Sequence, residues 1–203
     1  MMSSKSTRRA CLALVALGLV ASQAWAQASA AAPRVRFATS AGEFVVEVYP
    51  DKAPKTVENF LQYVKDKHYD GTVFHRVINN FMVQGGGYDA SYAEKKTRAP
   101  VVHEGREALA KGGDKNVVGT LAMARTNDPN SASSQFFINV KDNDFLNPSV
   151  QAPGYTVFGK VVSGMDVVNK IKATPTGAGG PFPGDVPKTP ILVNSATLLK
   201  QTP

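Results

Sequence analysis

The sequence predicts a mainly β fold, either an antiparallel barrel or a sandwich with helices at its ends. About eight short runs rich in β-branched and aromatic residues are separated by turn signals, and only two segments carry a helical apolar stripe. No strand–helix–strand rhythm is present, which argues against a parallel sheet. The 203 residues, 43% of them hydrophobic, supply enough apolar material for one core.

The first elements are a predicted hairpin and a predicted helix. Residues 35–39 and 43–49 are short β-rich runs, and Ser40-Ala41-Gly42 between them has turn chemistry. Pro54 then opens a helix, where its missing N–H costs nothing because that group has no partner inside the helix. The apolar stripe of this helix comprises Val57, Phe60, Leu61 and Val64.

The rest of the chain is predicted to supply the remaining strands and a second helix. That helix covers residues 166–172, and residues 88–116 are polar and irregular, which is typical of long surface loops. Residues 174–190 form a Pro/Gly-rich connection. The further strands are predicted over residues 73–78, 81–84, 117–124, 135–140, 155–162 and 191–199.

Residues 1–26 have the pattern of a cleavable signal peptide. A positive region precedes an apolar run over residues 10–21, which is too short to span a bilayer, so a transmembrane anchor is the weaker alternative. Ala24-Trp25-Ala26 is a small-x-small cleavage signature, and Ala28-Ser29-Ala30 is a second one. We therefore expect export to the periplasm, one domain over residues 27–203 and no membrane association after cleavage. The positive residues are Lys5, Arg8 and Arg9, and the last two leave the twin-arginine route open beside the favoured general secretory route.

The composition excludes several kinds of site. Cys11 is the only cysteine and leaves with the signal, so the mature chain is expected to have neither disulfides nor thiolate metal ligands. The three histidines show no zinc-type spacing, and we expect neither a metal nor a cofactor. The formal charge of +7 falls to +4 without the signal, and no basic–aromatic stripe favours nucleic acid. No dimerisation pattern is visible, so a monomer is expected.

Two segments carry the candidate chemistry. The first covers residues 74–87, and the second combines residues 119–125 with residues 134–138. Together they hold arginine, two glutamine side chains and a set of apolar side chains, without an obvious nucleophile, general base or metal cluster. Such a site suits a reaction that makes and breaks no covalent bond.

Other catalytic motifs do not fit these segments. Gln84-Gly85-Gly86-Gly87 lacks the Lys-Ser/Thr pair of a phosphate-binding loop, so its glycines are interpreted as a bulge or tight turn. Ser133 and Ser134 lack a nucleophile-elbow context, which argues against a secreted serine hydrolase. His75 is interpreted as a packed, hydrogen-bonded structural residue, because strand alternation places it on the opposite face from Arg76.

Four motifs occur in the order that is typical of one family. With them the chain resembles the cyclophilin-type peptidyl-prolyl cis-trans isomerases, in particular those of the Gram-negative periplasm, from Val35 to the C-terminus. The resemblance implies a closed eight-stranded antiparallel β-barrel capped by two α-helices, and a cofactor-free isomerase that assists the folding of exported proteins. The motifs are Phe74-His75-Arg76-Val77-Ile78, Phe81-Met82-x-Gln84-Gly85-Gly86, Ser134-Gln135-Phe136-Phe137-Ile138 and Val157-Phe158-Gly159-Lys160-Val161.

The resemblance also implies the residues of the site. Arg76 would stabilise the twisted amide of an X-Pro bond, and Gln84 would hold that arginine. Phe81 and Phe137 complete the implied catalytic set as parts of the pocket that grips the proline ring. The implied substrate-binding residues are Met82, Ala124, Arg125, Gln135, Phe145, Leu146 and Tyr155.

Three of these positions depart from the best-known eukaryotic members. Phe145 stands where they carry tryptophan, Tyr155 where they carry histidine, and Arg125 where asparagine is frequent. Phe145 lacks the indole N–H donor, so we expect weak binding of cyclosporin-type macrocycles with isomerase activity retained. The expected partners are proline-containing peptides and unfolded exported proteins. A non-catalytic proline-peptide binding module or holdase on the same barrel is the alternative.

Overall fold

The computed structural model of the protein describes residues 32–200, so the predicted signal peptide lies outside the described residues. The mainly β class is confirmed, with three short α-helices among the strands. The helices are α1 (Pro54–Lys65), α2 (Gly105–Ala110) and α3 (Met165–Lys172). The strands are β1 (Arg34–Thr39), β2 (Gly42–Val48), β3 (Arg76–Ile78), β4 (Met82–Gly85), β5 (Thr120–Met123), β6 (Phe136–Asn139), β7 (Val157–Ser163), β8 (Thr176–Gly179), β9 (Phe182–Pro187) and β10 (Val193–Leu198).

Eight of the strands form one antiparallel sheet in the order β10-β1-β2-β7-β5-β6-β4-β3. Strands β3 and β10 are its two edges, and the segments just before them meet in an isolated bridge between Val73 and Leu192. Within residues 32–200 no continuous ladder joins the two edges. The closed barrel implied by the resemblance is therefore not confirmed, and the sheet is open.

The predicted hairpin and both predicted helices are present. Helix α1 begins at Pro54 as expected, and its core-facing stripe includes Val57 and Phe60, both 1% exposed or less. Helix α3 begins one residue before the predicted start and buries Val168 and Ile171. None of the helices in the described part of the chain is both long and apolar enough to cross a membrane.

Residues 88–116, interpreted from the sequence as surface loops, contain helix α2 and a buried carboxylate, so that interpretation is wrong in part. Glu104 is 7% exposed and accepts hydrogen bonds from the backbone N–H groups of Lys55 (3.2 Å) and Thr56 (2.7 Å). The Thr56 hydroxyl donates to the same carboxylate at 2.7 Å. Ala53 cannot cap α1 with its side chain, so Glu104 satisfies the free N–H groups from a distant part of the sequence.

The Pro/Gly-rich connection over residues 174–190 is also structured. It forms a separate two-stranded sheet from β8 and β9, which was not predicted. Gly180 lies in the turn at φ +52°, a left-handed conformation that glycine adopts without steric strain. The sequence did not predict this hairpin because it is rich in glycine and proline, and few of its residues have strong strand propensity.

Strand alternation divides the apolar residues between two clusters. On β6, Phe136 and Ile138 enter the main core, whereas Phe137 between them faces the opposite way and joins a smaller cluster. The same alternation sends Met82 on β4 and Ala122 on β5 to the smaller cluster. This second apolar surface, on the outer face of the sheet, is the floor of the candidate site.

The main core is held mainly by aromatic packing on the inner face. Phe37 and Phe44 stack across the β1–β2 hairpin with centroids 5.1 Å apart. Phe60 from α1 and Phe136 from β6 meet edge to face at 6.0 Å. These fully buried rings fix the sheet against α1 and so keep the outer face in a constant shape.

Candidate active site

A cavity of about 300 Å³ opens over the smaller apolar cluster and collects most of the predicted site residues. A larger groove of about 850 Å³ runs between α1 and β10, but none of the predicted site residues lines it. The smaller cavity is therefore the candidate active site. Its predicted lining residues are Arg76, Phe81, Met82, Gln84, Ala124, Arg125, Gln135, Phe137, Leu146 and Tyr155.

Arg76 is the first residue of β3 and lies at the mouth of the cavity. It pairs with Gln84 in the β3–β4 ladder, so both side chains emerge on the same face of the sheet. The Arg76 side chain is 46% exposed, and its Nε lies 3.7 Å from Oδ2 of Asp185. The guanidinium is thus a cation at the edge of the cavity, accessible from solvent.

The two predicted amide side chains lie together beside Arg76. Nε2 of Gln84 donates a hydrogen bond to Oε1 of Gln135 at 2.9 Å. Among the described residues, Gln84 is bonded to Gln135 rather than to Arg76, so the expected glutamine–arginine hydrogen bond is not formed here. Gly87 allows this arrangement, because a Cβ at that position would come within 2.6 Å of the Gln135 side chain.

The apolar wall of the cavity is built mainly from buried side chains. Met82, Phe137 and Leu146 are 2%, 4% and 7% exposed, and Tyr155 meets the Phe137 ring edge to face at 5.5 Å. These neighbours hold Phe137 in one orientation, which makes the wall a fixed surface. The wall has the size and polarity to take a small apolar ring.

Phe145 does not line the cavity. It is 73% exposed at the rim, where its ring stacks on that of Phe81 with centroids 5.7 Å apart and an interplanar angle of 26°. Phe145 can therefore meet a ligand that extends beyond the cavity, and it also covers one face of Phe81.

Arg125 is fixed on the opposite rim by three hydrogen bonds. Its Nε and Nη2 donate to the Gly154 carbonyl at 3.2 and 2.8 Å, and its Nη1 donates to the Thr126 carbonyl at 2.8 Å. The guanidinium carbon also lies 4.5 Å above the centroid of the Tyr155 ring. The cavity thus has a cation on each side, and Arg125 is the more firmly held of the two.

Residues 34–198 match the family model described as cyclophilin type peptidyl-prolyl cis-trans isomerase/CLD. The chain belongs to this family. Peptidyl-prolyl cis-trans isomerase B of Escherichia coli (strain K12) is 51% identical over 167 residues, which cover 81% of this chain and 98% of that protein. Peptidyl-prolyl cis-trans isomerase cyp18 of Streptomyces antibioticus is 52% identical over 168 residues, with the same coverage.

Solved structures show the same fold. The crystal structure of a cyclophilin type peptidyl-prolyl cis-trans isomerase of Cryptosporidium parvum superposes with a TM-score of 0.67 at 24% identity, covering 84% of this chain and 99% of that one. A second crystal structure of that protein, in the presence of the dipeptide Ala-Pro, gives a TM-score of 0.66 at 25% identity.

The cyclophilin cavity also has lining residues that the sequence did not indicate as site residues, namely His75, Tyr88 and Phe182. Phe182 stands alone between glycines and prolines of the β8–β9 hairpin, and a lone aromatic residue in such a connection is the signal that could have revealed it. Its ring lies 5.4 Å from that of His75 and 5.0 Å from that of Tyr88.

His75 is packed as predicted, at 3% exposure, but its Nδ1 has no hydrogen-bond partner within the described residues, so the expected hydrogen bond is not seen at that atom. Burial lowers the pKa of His75 to about 4, with the nearby charge of Arg76 acting in the same direction and the Val73 carbonyl opposing it. A neutral imidazole at neutral pH is a packing group here, and no proton donor or acceptor pair is formed with Arg76.

A buried asparagine network supports the floor of the cavity from below. Nδ2 of Asn143 donates to the Phe81 carbonyl at 3.0 Å and to Oδ1 of Asn139 at 2.7 Å. Asn116 donates to the Leu146 carbonyl at 3.2 Å. All three asparagines are 2% exposed or less, so their hydrogen bonds are sheltered from water. The network thereby links the backbone at Phe81 to the backbone at Leu146, on two walls of the cavity.

The arrangement suits binding and electrostatic stabilisation rather than covalent chemistry. Within residues 32–200 no group of three or more His, Cys, Asp or Glu side chains is placed to hold a metal ion. The polar side chains of the cavity are two amides, two phenols, two guanidinium groups and the imidazole of His75. Within the described residues no hydrogen bond pairs that imidazole with a nucleophile. Such a site can grip an apolar ring and present a cation to an adjacent atom.

Proposed function

We propose that this cavity is the active site of a peptidyl-prolyl cis-trans isomerase that acts on X-Pro bonds of exported proteins in the periplasm and assists their folding. One observation carries the proposal: Arg76 lies at the mouth of a cavity whose wall is the rigid apolar surface of Met82, Phe137 and Leu146. A half-exposed guanidinium thus lies next to an apolar pocket, and we propose that this pocket takes the five-membered ring of proline. Family membership supports the reaction class.

The reaction is limited by amide resonance. Rotation about an X-Pro bond faces a barrier of about 20 kcal/mol, because the C–N bond has partial double-bond character. In the twisted transition state this resonance is lost, and the prolyl nitrogen becomes pyramidal and able to accept a hydrogen bond. A donor aimed at that nitrogen stabilises the transition state more than the ground state, which is what lowers the barrier.

The roles follow from position. The wall formed with Phe81 and Phe137 grips the proline ring, so that the residue before proline can rotate while the ring is held. Arg76 donates toward the prolyl nitrogen as the amide twists. The Gln84–Gln135 pair fixes the polar side of the cavity beside the guanidinium, whether or not Gln84 also bonds Arg76 once substrate enters.

The proposed substrates are proline-containing peptides and unfolded exported chains. The crystal structure of the Cryptosporidium relative in the presence of Ala-Pro supports a small proline unit as the recognised element. Ala124 and Arg125 are proposed to contact the peptide backbone on the rim opposite Arg76, and Tyr155 is proposed to support that contact. Cyclosporin-type macrocycles are proposed to bind weakly, through Phe145 at the rim.

Periplasmic action rests on the signal-like pattern of residues 1–26. Expression of the full chain in a Gram-negative host should give a shortened periplasmic product that begins at Gln27. Full-length protein retained in the cytoplasm or at the membrane would contradict this part of the proposal.

The proposed activity can be tested by exchange spectroscopy with a peptide containing Ala-Pro, using substoichiometric amounts of the chain from Gln27. We expect cis–trans exchange cross-peaks, and at higher protein concentration shifts of the Met82 and Leu146 methyl signals. Leu198, in the groove between α1 and β10, supplies a methyl control that should not move. A matched Ala-Ala peptide should cause neither effect. Methyl shifts without cis–trans exchange cross-peaks would refute the isomerase activity and indicate a proline-peptide binding module.

A further inference from the structure

The β8–β9 hairpin is anchored beside the cavity by one aromatic side chain. The Phe182 ring lies among those of His75, Tyr88 and Tyr92, at centroid distances of 5.4, 5.0 and 6.2 Å. Val186, four residues on, is 2% exposed. The chain between the half-buried Phe182 and the buried Val186 therefore has little freedom, and Asp185 lies within it.

Asp185 has an unusual backbone conformation for a residue other than glycine. Its φ is +63°, in the left-handed region, which aspartate and asparagine enter more readily than other side chains. With this backbone conformation the Asp185 carboxylate reaches Arg76, the first residue of β3.

The carboxylate meets Arg76 at one particular nitrogen. Oδ2 of Asp185 lies 3.7 Å from Nε of Arg76, which is an ion-pair distance and too long for a hydrogen bond. Nε is the guanidinium nitrogen nearest the carboxylate. Within the described residues the two terminal nitrogens of Arg76 donate no hydrogen bond, so they remain available to a substrate. Among residues 32–200, Asp185 is the acidic residue whose side chain lies within ion-pair distance of Arg76.

A second cavity of about 340 Å³ lies between Arg76 and the hairpin, and it shares His75, Arg76 and Phe182 with the active-site cavity. The hairpin is thus a wall of one continuous surface that includes Arg76. We infer that Asp185 is a positioning residue, which holds the Arg76 guanidinium by its Nε edge and leaves the other edge directed at the twisted amide. This inference rests on the proposed function of Arg76 and adds the hairpin to the active site.

The test compares Asp185→Asn, Asp185→Glu and Asp166→Asn with the wild-type chain. Asparagine tolerates the left-handed backbone, so Asp185→Asn removes the charge while keeping the turn. Asp166 on α3 is the matched control, because it is exposed, lies 3.8 Å from Lys170 and touches no part of either cavity. The readouts are kcat/KM on an Ala-Pro peptide, the dissociation constant of that peptide, and the NMR signal of the Arg76 Nε–H.

We expect Asp185→Asn to lower kcat/KM about threefold to fivefold, the range of an exposed ion pair, with little change in peptide affinity. The Arg76 Nε–H signal should shift in this variant, Asp185→Glu should recover part of the loss, and Asp166→Asn should match the wild type. A loss no greater than that of Asp166→Asn, or an unmoved Nε–H signal, would overturn the inference. An inactive wild-type chain would refute the proposed function instead, and the Nε–H signal would still decide whether Asp185 holds Arg76.

Discussion

The side-chain amides of Gln84 and Gln135 are joined by a hydrogen bond of 2.9 Å from Nε2 to Oε1. Gln84 faces Arg76 across the β3–β4 ladder, and the backbone carbonyl of Gln135 accepts the N–H of Ala124 at 3.0 Å. The pair therefore connects β4, the ladder partner of the strand that carries Arg76, with the strand end that forms the opposite rim. Its position makes it a brace for the polar side of the cavity.

Removing this brace should reduce catalysis without unfolding the chain. We expect Gln135→Ala to lower kcat/KM about fivefold, since one hydrogen bond contributes roughly 1 kcal/mol and its loss leaves the Gln84 amide without its partner. Gln62→Ala is the control, because Gln62 also makes one side-chain hydrogen bond, to Asp66, but lies on α1 outside the cavity. Equal activities of the two variants in the peptide assay would show that the brace is not used.

Phe145 is predicted to limit macrocycle binding. Its ring is exposed and stacks on Phe81, so an indole at this position can keep the stack and add an N–H donor at the rim. Phe145→Trp should strengthen binding of cyclosporin about tenfold, the value of one added hydrogen bond in a suitable place, and leave kcat/KM within about twofold. Calorimetric titration gives the affinity, and Phe145→Leu is the control that lacks both ring and donor. If the Phe145→Trp variant bound cyclosporin no more tightly than the wild type, Phe145 would not be what limits macrocycle binding.

His75 should make the fold sensitive to acid. Burial lowers its pKa to about 4 from 6.5, so between these values the unfolded chain binds a proton that the folded chain does not. This contribution of His75 to the free energy of unfolding is therefore fully present above pH 6.5. It is lost as the pH falls toward 4, by on the order of 2–3 kcal/mol. The lowered pKa values of His68 and His103, also caused chiefly by burial, act in the same direction.

The variant His75→Phe isolates this contribution. A phenyl ring can pack against Phe182 and carries no titratable group, so the dependence of the unfolding free energy on pH should become shallower between pH 4.5 and 6.5. Denaturant titrations at several pH values measure the slope. The variant should keep most of its isomerase activity at pH 7, because the proposed reaction transfers no proton. A slope equal to that of the wild type would show that His75 does not titrate in this way.

Glu104 should be the most important single carboxylate for stability. It is buried and accepts two backbone N–H groups and one hydroxyl at the start of α1. Glu104→Ala leaves those donors without a partner and should lower the free energy of unfolding by about 3 kcal/mol. Glu58→Ala is the control on the same helix, because Glu58 is exposed and alanine favours helix. Similar melting temperatures of the two variants would show that Glu104 is not needed as a cap.

Most of the cavity was predictable because its residues lie on strands within recognisable motifs. Phe137 is an example: the resemblance assigned it to the pocket, and the alternation of β6 shows why it faces away from Phe136 and Ile138. Arg76 and Gln84 were likewise close in sequence and fall opposite each other in one ladder. The local sequence pattern was sufficient to predict those site residues whose interaction partners are close in the sequence.

Features that depend on distant partners could not be predicted in this way. Glu104 lies in a polar stretch that gives no sign of burial, and its partners on α1 are 48 and 49 residues earlier. Phe182 and Asp185 belong to a glycine- and proline-rich segment whose pairing depends on the rest of the fold. The open sheet was missed for the same reason, because edge pairing between β3 and β10 is a property of the assembled sheet and not of either strand.

Arg76 is proposed to lower the barrier to X-Pro rotation, and a cis-to-trans assay on an Ala-Pro peptide with the chain from Gln27 tests this role. Arg76→Ala is compared with Arg36→Ala, a matched control because both arginines are 46% exposed and each lies near one carboxylate. We expect Arg76→Ala to lose about a hundredfold or more of kcat/KM, as for removal of a key transition-state donor, and Arg36→Ala to retain wild-type activity. Both variants should keep the wild-type circular dichroism spectrum. Full activity in a folded Arg76→Ala chain would rule out this role of Arg76.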